Sequence, residues 1–178
     1  MRFFFDFLHF RIGCVLEVRH ISNIEVVGYS NRCMDGLYIP FLDYDTTKYE
    51  RAWIIEELRA LMFEFSLNDF YVLQTENGFH AVSFDKLTLK RYIELLNRSS
   101  CDYNFKTVPI KYGKIVWNLR LTSKHRKPFI VQKLYGGYHI HSRSKAHIKM
   151  FEKIFKYKIS DKENLDNSNK LILCRYNS

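Results

Sequence analysis

The sequence predicts an α/β (α+β) domain, an open β-sheet of β-α-β-β-α-β order with its helices on one face. Three observations predict it. Between residues 36 and 134, runs with the two-residue period of a strand and the 3.6-residue period of a helix succeed one another in that order. An Asn-Gly pair at 77–78 joins two of the strand-like runs, as in a hairpin. Finally, the 178 residues hold 15 Phe and 12 Tyr against only 7 Gly and 3 Pro. That supply suits one packed domain, 1–178, without internal repeat or low-complexity tract.

In chain order, residues 3–9 and 12–19 read as short strands and 23–28 as a third. The opening MRFFFDFLHF is apolar but broken by Asp6, His9 and Arg11, without a small-residue cleavage site. It reads as strand and not as a signal peptide, and no run reaches membrane-spanning length. Residues 36–44 (GLYIPFLDY) form the next strand, although Pro40 cannot donate to a ladder. Residues 47–66 form a helix with Ile54, Leu58, Leu61, Met62 and Phe65 inward, and Thr47 to Glu50 fit a capping box. A hairpin follows, 70–75 and 79–84, turning at Glu76-Asn77-Gly78 with the positive φ angles that Asn and Gly tolerate.

Residues 88–97 suit a second helix, with Leu89, Ile93 and Leu96 inward, and 114–122 and 129–134 suit strands. Between those strands lie Lys124, His125, Arg126 and Lys127, a cluster that repels itself unless it faces an anion or solvent. Residues 143–157 form a third helix with Ile148, Phe151 and Phe155 inward. Lys145, Lys149, Lys153 and Lys156 recur on another face, a row suited to a phosphate backbone. Residues 160–170 read as loop and 171–176 as a last strand.

The net charge of +9 is unevenly placed. Residues 1–110 carry 12 basic and 15 acidic groups, whereas 111–158 carry 13 basic and one acidic. A basic field in one part of the chain and an acidic pair in another suggest a bound polyanion beside metal-assisted chemistry. Cys14, Cys33, Cys101 and Cys174 lack any C-x-x-C spacing, so neither a zinc site nor a disulfide framework is indicated, and a reducing, cytoplasmic setting fits.

The candidate site begins at FLDYD. Alternate side chains of a strand share a face, so Asp43 and Asp45 point the same way with Phe41 and Ile39 behind them. Two carboxylates so placed make half of a site for a hard divalent cation, Mg2+ or Mn2+, that keeps waters and accepts substrate phosphates. The competing reading is that they cap the following helix. His80, just past the hairpin turn, becomes the third member if the hairpin lies beside that strand; otherwise it is a structural histidine.

This constellation resembles the catalytic core of the archaeo-eukaryotic primase superfamily, the primase-polymerases, over about residues 36–127. FLDYD matches the strand-borne D-x-D, TENGFHAV the hairpin small-x-His element, and LRLTSKHRK the basic strand and turn. The resemblance implies an RRM-like core at 36–134, followed at 135–178 by a basic helix and terminal strand. It implies that Asp43 and Asp45 bind the metals and that His80 contacts nucleotide phosphates. Arg120, Lys124, His125 and Lys127 would then lie near the triphosphate or template. Nucleoside triphosphates, a single-stranded DNA template and a helicase become its companions, in a DNA primase or polymerase-like nucleotidyltransferase of DNA replication. The family's third carboxylate has no counterpart between Lys114 and Arg120. Asn118 is the nearest polar residue there, and Asp85 or Asp102 could serve only along a different chain path. Two rivals remain: a noncatalytic nucleic-acid-binding module on the same fold, and a rolling-circle initiator or relaxase using His139 and His141 with Tyr157.

Overall fold

The computed structural model describes residues 2–7, 10–15, 28–45, 50–120 and 128–159, with the backbone alone at 2–7, 10–15 and 29. Its elements are β1 (Arg2–Phe7), β2 (Phe10–Val15), β3 (Gly28–Ser30), β4 (Phe41–Asp45), α1 (Arg51–Phe65), β5 (Asp69–Gln74), β6 (Gly78–Val82), α2 (Leu89–Arg98), α3 (Tyr103–Lys111), β7 (Asn118–Arg120), β8 (Phe129–Tyr135) and α4 (Lys145–Phe155). β1 and β2 pair as one antiparallel hairpin and β3 pairs with β7. The predicted strand at 171–176, the loop at 160–170 and the basic turn holding Lys124, His125 and Lys127 lie outside the described residues.

The main sheet has four antiparallel strands in the order β4-β6-β5-β8. β4 and β5 are therefore parallel to each other with β6 between them, a split β-α-β unit whose crossover is α1. The α+β class and the open sheet are as the sequence predicts. The seat of the last strand is different: an RRM sheet places it beside the first, whereas β8 pairs with β5 at the far edge. Polar groups occupy the edge it leaves. The Tyr92 hydroxyl donates to the Phe41 carbonyl at 2.9 Å, and the Asp102 N–H donates to the Asp43 carbonyl at 2.7 Å.

Alternation along the strands splits the core in two. Leu42, Tyr44, Phe70, Val72, Phe79 and Ala81 face α1, whose buried stripe is Ile54, Leu58, Leu61, Met62 and Phe65, all five as the periodicity predicts. α2 joins this side through Tyr92, Leu95 and Leu96, and the Tyr92 ring meets Trp117 edge-on at 5.0 Å. Phe41, Tyr71, Leu73 and Val82 face the other way, toward Phe151 of α4, which is completely buried. Helices thus cover both faces, not one, because α4 has an apolar stripe and Tyr71 and Phe84 offer it a flat aromatic seat at 5.2–5.3 Å between ring centres.

Two local expectations are corrected. α1 starts at Arg51 with Glu50 as its N-cap and without a side-chain cap, so the predicted capping box does not begin this helix. The hairpin turn needs no left-handed residue, since neither Asn77 nor Gly78 has a positive φ. Gly78 is required for space instead: a Cβ there would stand 2.0 Å from the Tyr44 carbonyl oxygen. That close approach seats the end of β4 against the hairpin.

Candidate active site

The site is built by strand register. Asp43 lies directly opposite His80, and Asp45 opposite Gly78. The Asp43 carbonyl points to the outer edge of the sheet, where Asp102 binds it, so Asp43 and His80 form a non-hydrogen-bonded pair, the kind whose side chains stand closest. His80 Nε2 is accordingly 3.3 Å from Asp43 Oδ1. The histidine ring is nearly buried and the Asp43 carboxylate is 41% exposed, which puts the pair on a rim between core and solvent. Asp45, one step along the same strand face, is exposed. His80 Nδ1 is buried and meets no hydrogen-bonding group among the described residues.

What fixes the rim is the residue pointing the other way. The Tyr44 hydroxyl donates to Glu57 Oε1 at 2.8 Å, and Glu57 also accepts from the Ser100 N–H at 3.0 Å and the Ser100 hydroxyl at 2.5 Å. One carboxylate on α1 thereby ties β4 to the segment that enters α3. Asp102 begins that helix, its Oδ1 accepting from the Phe105 N–H at 2.8 Å. Of the two acids considered for the missing third carboxylate, Asp102 thus lies beside Asp43 through its backbone while its side chain caps a helix. Asp85 is elsewhere, buried at the far end of β6, where it accepts from the Asn68 N–H at 2.5 Å. No group of three His, Cys, Asp or Glu residues able to hold a metal ion occurs among the described residues.

The basic residues separate. Arg120 is exposed on β7, in register with Gly28 and off the main sheet. Lys145, Lys149, Lys153 and Lys156 are all exposed along and just past α4, opposite its apolar stripe as predicted. The His139/His141 pair lies outside the strands. His141 Nε2–H donates to the Phe65 carbonyl at 2.9 Å, His139 is 3.3 Å from the Tyr135 hydroxyl, and Tyr157 packs its ring on Tyr71. Those contacts engage the histidines separately and turn the tyrosine inward, against the rolling-circle reading.

Two buried polar groups were not legible as sites. At the opposite end of the His80 face, Arg143 donates to Asp69 Oδ2 at 2.8 Å and the Tyr71 hydroxyl to the same oxygen at 3.3 Å. Burial pushes the Asp69 carboxyl up to about 6 and raises that of Asp85. Near β3, Ser144 donates to His147 Nδ1 at 2.6 Å and His147 Nε2–H donates to the Ser30 carbonyl at 2.8 Å, with Cys33 Sγ 3.9 Å from Nδ1. Burial lowers the His147 pKa, and Ser144 and Cys33 are both buried, so this group ties α4 to β3. Neither had a spacing in the sequence that marks it, since the partners lie 74 and 117 residues apart.

Searches against protein-family models, curated proteins and solved structures find no match to this chain. Among the described residues no helix is long and apolar enough to cross a membrane.

Proposed function

We propose that the chain is a metal-dependent nucleotidyltransferase of the primase-polymerase kind, taking nucleoside triphosphates and a single-stranded DNA template. The observation that supports it is the register of Asp43 with His80, which joins two motifs 37 residues apart on one half-exposed rim beside Asp45. The donor set suits Mg2+ or Mn2+: two carboxylates offer hard oxygens, and such ions take the rest from water and substrate phosphates. When bound, the ion stabilises the attacking and leaving oxygens of an in-line displacement by a 3′-hydroxyl at the α-phosphate. Asp43 and Asp45 hold it, and Asp43 also orients the His80 ring. The orphaned Nδ1 of His80 is the group a phosphate oxygen would satisfy. The Tyr44–Glu57–Ser100 tie keeps this rim rigid during the exchange.

The test is incorporation of labelled nucleotide on a primed single-stranded template with Mn2+. Asp43→Asn with Asp45→Asn should abolish incorporation and leave template binding intact, and full activity in that folded variant removes the site. One observation favours the noncatalytic module instead, the engagement of the Asp102 carboxylate in its helix cap. A wild-type chain that binds template and never incorporates nucleotide would establish that second reading.

A further inference from the structure

α3 is unlike the other helices of the fold. None of its residues is buried, and only Phe105 leans on the core. Its outward surface nevertheless carries large apolar side chains: Tyr103 is 72% exposed, Ile110 50%, and Tyr112 just past its end 67%. Residues three, four and seven apart share a helix face, so Tyr103, Thr107, Ile110 and Lys111 form one outward strip. The charge on this segment has one sign. From Tyr103 to Arg120 there are four basic residues, Lys106, Lys111, Lys114 and Arg120, and no acid. Lys111 Nζ sits 5.9 Å from the centre of the Tyr112 ring. A purely apolar strip would suit a protein partner; exposed aromatic faces set among unopposed lysines suit a strand of bases and phosphates.

We propose that α3 and the turn after it form a single-stranded nucleic-acid platform, with Tyr103 and Tyr112 stacking on bases and Lys111 and Lys114 facing the intervening phosphates. The two rings are separated by roughly 13 Å of helix rise, room for a short run of nucleotides. The helix also starts at Asp102, whose N–H holds the Asp43 carbonyl, so a strand laid along α3 passes the Asp43–His80 rim. The inference deepens the nucleic-acid part of the function proposed above and does not depend on its chemistry.

Fluorescence anisotropy with labelled oligothymidylate and oligouridylate, without metal or nucleotide, tests it on the full chain. Tyr103→Ala with Tyr112→Ala should weaken binding at least tenfold at an unchanged Tm, because stacking is lost at two positions. Tyr103→Phe with Tyr112→Phe should bind within twofold of wild type. Lys111→Glu with Lys114→Glu should weaken binding and flatten its salt dependence. Binding within twofold in the alanine pair, equal losses in the phenylalanine and alanine pairs, or no binding of either oligonucleotide by wild type would each overturn the platform. The last outcome would leave a protein as the partner of this face. Failure of the chemistry is read separately, as unchanged incorporation by the Asp43→Asn, Asp45→Asn variant.

Discussion

Two aspartates stand on the same face of the same sheet, at opposite ends, and have opposite circumstances. Asp69 is 1% exposed, paired with Arg143 and roofed by the aromatic seat of α4. Asp43 is half-open, faces a histidine and lies beyond the reach of that roof. The first is what a fold does with a carboxylate it must bury: a cation and hydroxyl are brought to it from distant parts of the chain. The second is a carboxylate the fold does not need to bury. The difference separates a structural acid from a candidate site better than charge or motif does.

The largest expected effect breaks the buried end. Arg143→Ala leaves Asp69 and Asp85 in the core without their cation and should cost about 3–5 kcal/mol in urea unfolding. A loss below about 1 kcal/mol would mean that the cluster is wetter than its burial indicates.

The next sharpens the comparison by pH. The Asp69 carboxyl is raised to about 6 from an ordinary 3.8, so between those values the folded chain binds its proton more tightly than the unfolded chain does. The contribution of Asp69 to stability therefore improves as pH falls from 7 through 6 toward 4, against the usual direction for a paired carboxylate. Relative to Asp69→Asn, wild type should gain up to about 3 kcal/mol between pH 7.5 and pH 4.5. A flat difference would show that Arg143 compensates the burial in full.

Gly78→Ala comes third. The added methyl group meets backbone and not a movable side chain, so about 1–3 kcal/mol should be lost. Because Gly78 faces Asp45, nucleotide incorporation should fall further than stability. The smallest effect belongs to the open end. Asp43→Asn should shift unfolding by no more than about 0.5 kcal/mol, as for other surface changes. A loss comparable with that of Arg143→Ala would return Asp43 to the structural class.

Where periodicity was strong the sequence was a sufficient guide. The five apolar positions of α1 and the alternating residues of β5 and β6 landed as read, because burial on one face leaves a repeating mark. The Asp43–His80 pairing was legible for the same reason: a hairpin beside a strand has few registers once one face must be apolar. α3 was missed because Pro109 reads as a breaker and no stripe exists in a helix that buries nothing. The seat of β8 was missed because strand order depends on what fills an edge, and here Tyr92 and Asp102, remote in sequence, fill it. The Asp69–Arg143 pair and the Ser144–His147 tie are long-range contacts of single residues and have no periodic trace.

The occupied outer edge of β4 has a consequence for assembly. An exposed strand edge invites another chain to continue the ladder, the usual beginning of sheet-to-sheet association. At β4 the Phe41 and Asp43 carbonyls are already taken by a hydroxyl and an amide from the body of the protein. A second copy would have to strip Tyr92 and the start of α3 from this edge before it could add a strand, so the acidic rim is kept clear of self-association by the groups that hold it in place.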